Sequence, residues 1–174
     1  RYWRDWSSDV CSSDLINMRK KFAQLLKEEM EINKNIYLIT GDLGYGLWDE
    51  IKYLFKDRFY NVGSSEMAML GIGIGLALEG KIPFVYSITP FAIYRPFEMI
   101  RNYLNHENIP VNIIGGGRDK DYGHLGFSHW AEDDKILNNF DNIRIFHPNS
   151  EESLGNILKE TIYNIKPTYI NLKK

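Results

Sequence analysis

Glu66 is the residue best placed for acid–base chemistry, because it lies at the start of a glycine-rich predicted helix. Residues 61–80 read NVGSSEMAMLGIGIGLALEG. Either Ser64 or Ser65 is a suitable N-cap, which puts Glu66 in the first helical turn. An acidic residue there offsets the helix dipole and by itself needs no function. A catalytic interpretation of Glu66 therefore depends on what the rest of the sequence brings near it.

The predicted helix after Glu66 is rich in small residues, which are Ala68, Gly71, Gly73, Gly75 and Ala77. Each glycine costs about 1 kcal/mol of helix propensity relative to alanine. A sequence tolerates that cost where another backbone approaches closely. Gly71 and Gly75 lie one turn apart on one face, which suits close helix–helix contact. The spacing is compatible with a buried core helix and equally with a subunit interface.

Two further segments carry side chains that are able to act on a ligand. Residues 87–95 read SITPFAIYR and residues 115–130 read GGGRDKDYGHLGFSHW. From residue type alone, the aromatic side chains of the first segment are more typical of a core, and its arginine of a solvated surface. The second segment is polar and glycine-bearing, and it ends near His129, a residue type that donates or moves protons near neutral pH.

The histidines do not form a recognised metal motif. His124 and His129 lie near Asp121, Glu132 and Asp133, but no known ligand spacing connects them. We therefore predict that this chain supplies no metal ligands.

The elements that must position these side chains follow from the hydrophobic pattern. Short apolar runs typical of buried strands alternate with helical patterns. The predicted strands are 36–39, 59–62, 82–86, 111–114, 143–146 and 168–172, and the predicted helices include 22–30, 48–55, 65–78, 96–105, 130–137 and 150–163. This order predicts a three-layer α/β/α fold with a mainly parallel sheet of about six strands. In such folds ligands bind beyond the carboxyl ends of the strands, where the candidate residues lie.

Composition excludes several other classes of protein. The 174 residues are 44% hydrophobic and 25% charged, with a formal net charge of -2. These values argue against intrinsic disorder and against a basic field for nucleic acid or an anionic membrane surface. The apolar runs are interrupted well before the roughly 20 residues of a membrane span, and one cysteine excludes an internal disulfide. We expect a soluble, cytoplasmic domain with no nucleic-acid or membrane partner.

The first fifteen residues do not share the pattern of the rest. They read RYWRDWSSDVCSSDL, with an imperfect Ser-Ser-Asp repeat and the only cysteine, Cys11. The cationic start and apolar stretch of a secretory signal are absent. We interpret residues 1–15 as a non-native extension derived from a sequencing adaptor and joined to an incomplete gene, and residues 16–174 as the domain. A genuine disordered tail is the alternative interpretation of residues 1–15. The adaptor interpretation also leaves open a continuation of the natural protein beyond Lys174.

Several ordered motifs resemble those of one family. The segment 63–69, GSSEMAM, followed by GIGIGLA at 71–77, resembles the Gly-x-Ser-Glu-x-x-Met segment of transketolases. More narrowly, the chain resembles the pyrimidine-binding domain of thiamine diphosphate-dependent enzymes of the transketolase type. The likeness runs from about Met18 to the end of the chain and includes DL at 42–43 and PTYI at 167–170. It implies that Glu66 hydrogen-bonds the aminopyrimidine ring of thiamine diphosphate and activates the cofactor for ketol transfer.

The same resemblance implies roles for five more residues. Family members carry an aromatic segment that packs against the pyrimidine, for which Phe91 is the nearest match and Tyr94 the second. Asp42 is implied to be cofactor-binding. His129 matches a histidine that faces the reacting end of the substrate, so it is implied to be catalytic and substrate-binding. Arg95, or in its place Arg101, is a candidate to bind a substrate phosphate through bidentate hydrogen bonds, with a solvated helix arginine as the alternative.

The resemblance also implies a partner. The Gly-Asp-Gly segment and later Asn with which this family holds diphosphate and magnesium have no counterpart here, since residues 41–44 read GDLG. We therefore expect diphosphate and magnesium to bind on the amino-terminal half of a split transketolase, and we expect this chain to be inactive alone. A homodimer of pyrimidine domains and a sugar phosphate substrate are also expected. Trp130 stands where the family usually has glutamine, and Leu125 where many transketolases have an acidic residue. Because of these two differences, the donor and acceptor sugars stay open.

Two alternatives remain open from the sequence. Deoxyxylulose phosphate synthases and 2-oxo acid dehydrogenase beta subunits use an equivalent glutamate, although residues 100–102 and 128–133 favour a transketolase-like half. A noncatalytic assembly module with the same fold is the second alternative. The retention of Glu66 together with aromatic residues argues against that module.

Overall fold

A computed structural model describes residues 17–173 of the chain. The predicted non-native extension, residues 1–15, lies outside the described residues, as do residues 16 and 174. Six strands are present, namely β1 (Ile36–Thr40), β2 (Phe59–Asn61), β3 (Ile82–Ile88), β4 (Asn112–Gly116), β5 (Arg144–Phe146) and β6 (Thr168–Leu172). They form one sheet in the order β2-β1-β3-β4-β6-β5, with every pairing parallel. The predicted six-stranded parallel sheet is confirmed.

Helices cover both faces of this sheet. They are α1 (Met18–Ile32), α2 (Asp49–Leu54), α3 (Glu66–Leu78), α4 (Thr89–Tyr94), α5 (Phe97–Met99), α6 (Asp133–Leu137) and α7 (Glu151–Tyr163), and a π-helical segment at Ile100–His106 continues α5. One core contains buried side chains of α1, α2 and α7, and the other contains those of α3, α4, α6 and the π-helical segment. The three-layer prediction is confirmed. No helix between residues 17 and 173 is both long and apolar enough to cross a bilayer.

Side chains alternate between the two cores along each strand, as the pleat of a strand requires. In β3, Phe84 and Tyr86 face the α1 side, whereas Val85 faces the α3 side. Gly73 of α3 lies against this second face, where an added Cβ would be only 2.9 Å from Val85 Cγ1. The close approach that the small residues indicated is therefore between α3 and the sheet. Gly75 is exposed, and a Cβ there would meet nothing within 4 Å.

The largest departure from the predicted elements follows β3. This strand continues to Ile88, so Ser87 lies within it, and the segment 89–94 is the helix α4 instead of a loop. Pro90 is in the first turn of α4. Backbone N–H groups there have no partner within the helix, so the missing N–H of proline costs no hydrogen bond, and its fixed φ suits the helix. Pro90 therefore starts a helix in a segment where the hydrophobic pattern predicted no element.

Other predicted boundaries also shift. The predicted helix 96–105 is a short α-helical turn followed by π-helix, and the predicted helix 130–137 begins only at Asp133 because Trp130 is extended. The polar, glycine-bearing segment 115–130 begins within β4, to which Gly115 and Gly116 belong, and then forms 3₁₀ turns. At the start of α3, Ser65 is the N-cap residue, but its side chain makes no capping hydrogen bond. At the start of α7, the Ser150 side chain caps the helix by accepting from the Ser153 backbone amide.

The buried Tyr86 predicts an alkaline limit to stability. Burial, with a smaller contribution from Tyr122, raises the pKa of Tyr86 to about 12. An unfolded tyrosine ionises at about pH 10, so this residue stabilises the fold below pH 10 and loses that contribution as the pH rises to about 12. The resulting slope is about 1.4 kcal/mol per pH unit. In urea unfolding above pH 10, the pH slope of Tyr86→Phe should be smaller than that of the wild type by this amount, whereas Tyr53→Phe, at an exposed ring, should keep the wild-type slope. Equal slopes in both variants would contradict the prediction.

Candidate active site

Glu66 lies at the carboxyl edge of the sheet and is almost completely buried, with 2% of its surface exposed. It is the first residue of α3, which follows the edge strand β2. Its Oε1 atom accepts a hydrogen bond from Ser87 Oγ at 3.0 Å, and its Oε2 atom pairs with Arg95 Nη1 at 2.6 Å. A buried carboxylate needs such partners. Both of its oxygens are therefore held in fixed directions.

The strands β1 and β3 build the immediate surroundings of this carboxylate. Ser87 is fully buried near the end of β3, and Gly41 follows β1 directly. A Cβ added at Gly41 would lie 3.1 Å from Glu66 Oε1, which is tighter than ordinary contact. The absence of a side chain at Gly41 therefore leaves the space in which the Glu66 carboxylate lies.

Arg95 connects Glu66 to the aromatic residues of α4. Its guanidinium carbon is 3.7 Å from the centroid of the Phe91 ring, a cation–π contact. Its side chain is 43% exposed, whereas that of Glu66 is 1% exposed. Arg95 is therefore the solvent-accessible partner of the Glu66 carboxylate, whereas Ser87 is its buried partner.

His129 approaches the same group from the loop after β4. Its ring centroid is 5.6 Å from that of Phe91, with the two planes tilted by 59°. Its Nδ1 atom lies 3.0 Å from Ser128 Oγ. The Tyr94 hydroxyl instead accepts from the backbone amide of Glu132 at 3.4 Å. The structure thus brings Glu66, Arg95, Phe91 and His129 into successive contact, with Tyr94 at the loop beside them.

Asp42 borders this group on the β1 side. Its backbone has a φ of 59°, a left-handed conformation that aspartate tolerates better than most residues. Its Oδ1 atom accepts from Asn61 Nδ2 at 3.1 Å and from the Tyr45 hydroxyl at 2.9 Å. These hydrogen bonds, that of Asn61 first, lower the pKa of Asp42 below its usual value. Asp42 is thus an anionic group one residue from Gly41.

Two features near this edge were not predicted from the sequence. One is Ser87, the buried hydrogen-bond donor to Glu66. The other is a cavity of about 450 Å³ that is lined by Arg19 and Lys20 of α1 and by Tyr45, Tyr86 and Tyr122, among others. The Arg19 guanidinium donates to the Tyr122 hydroxyl. Basic residues in the first turn of a helix oppose the helix dipole. The unfavourable position of Arg19 and Lys20 is visible in the sequence and is the signal that points to this cavity.

One group of possible metal ligands occurs among residues 17–173. Ligand atoms of Asp133, Asp134 and His147 lie within 4.8 Å of one another, and His147 Nε2 is 2.7 Å from Asp134 Oδ1. Of the residues weighed in the sequence, only Asp133 belongs to this group, whereas His124 and His129 do not. That the chain supplies no metal ligands stays a prediction.

Comparison with known proteins identifies the family. Residues 14–174 match the family model described as "Transketolase, pyrimidine binding domain". This chain belongs to the transketolase pyrimidine-binding domain family. The resemblance noted in the sequence is confirmed.

Relatives of this transketolase-type domain include proteins named as a transketolase subunit and as a transketolase section. The chain is 34% identical over 119 residues to an apulose-4-phosphate transketolase subunit of Actinobacillus succinogenes, covering 68% of the chain and 38% of that protein. It is 29% identical over 160 residues to "Putative transketolase C-terminal section" of Methanocaldococcus jannaschii, covering 90% of the chain and 50% of that protein. The chain thus spans half or less of the length of these relatives.

A solved structure agrees with the fold. It is described as "Split gene transketolase, inactive beta4 tetramer", with a TM-score of 0.78 and 29% sequence identity, covering 90% of this chain and 51% of that one. The pyrimidine-domain fold is therefore confirmed for most of the described residues.

Proposed function

We propose that this chain is the pyrimidine-binding half of a thiamine diphosphate-dependent transketolase-type enzyme, which transfers a two-carbon ketol unit between sugar phosphates. The observation that carries the proposal is the Glu66 carboxylate, which is buried at the carboxyl edge of the sheet with both oxygens oriented. Family membership and the transketolase names of the relatives support it.

The residues present fit the aminopyrimidine ring of that cofactor. Glu66 supplies a carboxylate oxygen, Gly41 leaves room beside it, and the Phe91 ring supplies an aromatic surface near the same arginine. A heterocyclic ring needs this combination of one polar partner and apolar packing. In the proposed assignment Glu66, Phe91, Tyr94 and Asp42 hold the cofactor.

The two partners of Glu66 have different roles in this proposal. Ser87 is fully buried and keeps its hydrogen bond to Oε1, which orients the carboxylate. Arg95 is half-exposed and gives up Oε2 when the ring binds. The exchange leaves a charge-assisted hydrogen bond on the ring and frees Arg95 to bind a substrate phosphate.

Thiamine diphosphate, when bound, supplies the carbanion chemistry of ketol transfer. Glu66 shares a proton with the ring through Oε2 and so activates the cofactor. His129, which contacts Phe91 from the opposite loop, faces the substrate and donates hydrogen bonds or moves protons at its reacting end. Asp42 contributes a nearby negative charge.

Diphosphate and magnesium are assigned to a partner chain, the amino-terminal transketolase half, because no counterpart of the family's diphosphate segment occurs in the sequence. A second copy of this chain is assigned to the outer face of α3. That face is apolar and exposed, with Met67 47%, Ile72 39% and Leu78 69% exposed. Exposed apolar surface of this kind is typical of an interface.

Calorimetric titration of thiamine diphosphate tests the proposal. The titration is made with magnesium into an equimolar mixture of this chain and the diphosphate-binding half. Glu66→Ala should weaken binding about 10- to 100-fold, because a hydrogen bond to a charged group contributes about 1.5–3 kcal/mol. The matched control is Glu98→Ala, since Glu98 is exposed at the start of α5. Unchanged affinity in Glu66→Ala would remove the assignment, and no binding by the wild-type mixture would favour the noncatalytic module.

A further inference from the structure

A second buried carboxylate lies outside the group that surrounds Glu66. Asp133, the first residue of α6, is 8% exposed. Its Oδ2 atom accepts from the Tyr169 hydroxyl at 2.8 Å and from Asn171 Nδ2 at 2.5 Å. Complete burial, followed by the charge of Asp133, raises the pKa of Tyr169 well above its usual value, so its hydroxyl keeps the proton that it donates. Asp133 is thereby fixed to β6 by two donors.

The hydrogen bonds continue across the sheet to α4. Asn171 Oδ1 accepts from Thr89 Oγ1 at 3.1 Å, and the same hydroxyl lies 3.2 Å from the Gly116 carbonyl oxygen. Thr89 and Asn171 are each 1% exposed. At Gly115 an added Cβ would lie 2.7 Å from the Tyr169 hydroxyl and 2.9 Å from Thr89 Oγ1. The path from Asp133 through Asn171 to Thr89 is therefore tightly packed and rigid. We call it the Asp133 network.

Each end of the Asp133 network lies in a segment that holds one side of the candidate active site. Thr89 begins α4, and Phe91 and Arg95 follow within that helix and at its end. Asp133 comes four residues after His129, at the point where the 3₁₀ loop becomes α6. At the surface, the tilted contact of His129 with Phe91 and the 3.4 Å hydrogen bond to Tyr94 join these two sides. Below them, Leu137 of α6 shares an apolar core with Ala92 and Ile93 of α4.

We propose that Asp133 is a positioning residue that sets the His129 loop against α4 through Asn171 and Thr89. The proposal rests on the proposed function for what His129 and Phe91 bind, but the positioning itself is a property of this chain without ligand. A buried network of satisfied hydrogen bonds holds one arrangement of the elements that it joins. Without it, the loop keeps its surface contacts and the apolar packing of α6, which fix no single orientation, and His129 moves away from Phe91.

We choose the test variants by whether the new side chain keeps or removes a hydrogen bond of the Asp133 network. Asp133→Ala removes the acceptor and leaves two buried donors without a partner, whereas Asp133→Asn keeps an oxygen that accepts from both. At the other end, Thr89→Val removes the hydroxyl at nearly constant shape and Thr89→Ser retains it. Asp134→Ala is the matched control, because Asp134 is exposed and pairs with His147 outside the network.

The first readout is the nuclear Overhauser effect between the His129 and Phe91 rings in the full chain without cofactor. We expect it to be lost in Asp133→Ala and Thr89→Val, and kept in Asp133→Asn, Thr89→Ser and Asp134→Ala. Circular dichroism shows which variants are folded. If Asp133→Ala does not fold, Thr89→Val decides. A ring-to-ring signal that persists in a folded Asp133→Ala or Thr89→Val would overturn the proposal.

The second readout is kinetics in the mixture with the partner half. The two disrupting variants should lower kcat about 10- to 100-fold, because a displacement of about 1 Å has that effect on an oriented group. The KM for the cofactor should change less, since Glu66 is not in the network. A merely structural role would lower thermal stability and leave the kcat of the folded protein unchanged. If the wild-type mixture shows no ketol transfer while the ring-to-ring signal behaves as expected, the proposed function fails and the positioning role stands.

Discussion

Replacing Glu66 by glutamine should reduce ketol transfer by the reconstituted enzyme about 10²- to 10⁴-fold, the usual contribution of a positioned acid–base group. Glutamine has nearly the same volume and its amide oxygen still accepts from Ser87. It has no negative charge and takes up no proton, so it loses the function proposed for Oε2. The ion pair with Arg95 is also lost, but Arg95 is 43% exposed and that loss should have little effect on stability.

The measurement is steady-state ketol transfer by the mixed halves at saturating cofactor, with the unfolding transition of each variant recorded alongside. Glu98→Gln makes the same chemical change at an exposed site and should leave activity at the wild-type level. A Glu66→Gln enzyme within about twofold of wild type would show that the carboxylate takes no part in the reaction. A variant that unfolds at the assay temperature is replaced by Glu66→Ala, for which the same loss is expected.

The chain without its partner should show no ketol transfer at all. Its sequence contains no counterpart of the segment that holds diphosphate and magnesium in this family. The proposed pyrimidine site lies at the open carboxyl edge of the sheet, where only Glu66 and the residues around it are available. A ring held at one edge while its charged tail is in water binds weakly, because most of its polar groups remain unpaired.

The assay supplies thiamine diphosphate, magnesium and a sugar phosphate pair to this chain, to the partner half and to their mixture. Only the mixture should be active, and its activity should rise until the two halves are equimolar. A preparation of Glu66→Gln made in the same way controls for a contaminating transketolase. Turnover by the wild-type chain alone, above that control, would contradict the division of the site between two chains.

The fold was predictable because its strands are short, apolar and bounded by polar turns. β1 and β6 begin where the sequence predicts, and all strands are parallel as alternation with helices requires. The error at 89–94 has a local cause. Pro90 suggests a break when it follows a strand, yet a proline in the first turn starts a helix as readily. The pattern contains no information that separates the two.

The sequence proposes the residues of the candidate site, whose role stays a prediction, but it gives few of their contacts. The sequence indicates Glu66, Phe91 and His129, and the structure places them in one group at the carboxyl edge. The hydrogen bond from Ser87 to Glu66 depends on the register of β1 and β3 and on the absence of a side chain at Gly41. Such contacts join residues about twenty positions apart, and no local pattern records them.

The Asp133 network illustrates the same limit more strongly. Thr89 and Asn171 are 82 positions apart, and neither residue type is unusual in its segment. From the sequence, Asp133 is only an acidic residue near two histidines, without a recognised metal-ligand spacing. Its role depends on the parallel pairing of β4 with β6, which brings Asn171 beside Gly115. A sheet must be assembled before such a connection exists.

A crystal structure of the two halves with thiamine diphosphate and magnesium tests the central claim most directly. We predict that a Glu66 oxygen lies at hydrogen-bond distance, about 2.7–3.2 Å, from a ring nitrogen of the aminopyrimidine. Ser87 should still contact the other oxygen, Arg95 should have left the carboxylate, and the diphosphate should contact only the partner chain. A complex in which the Glu66 side chain faces open water, away from the bound ring, would contradict the account.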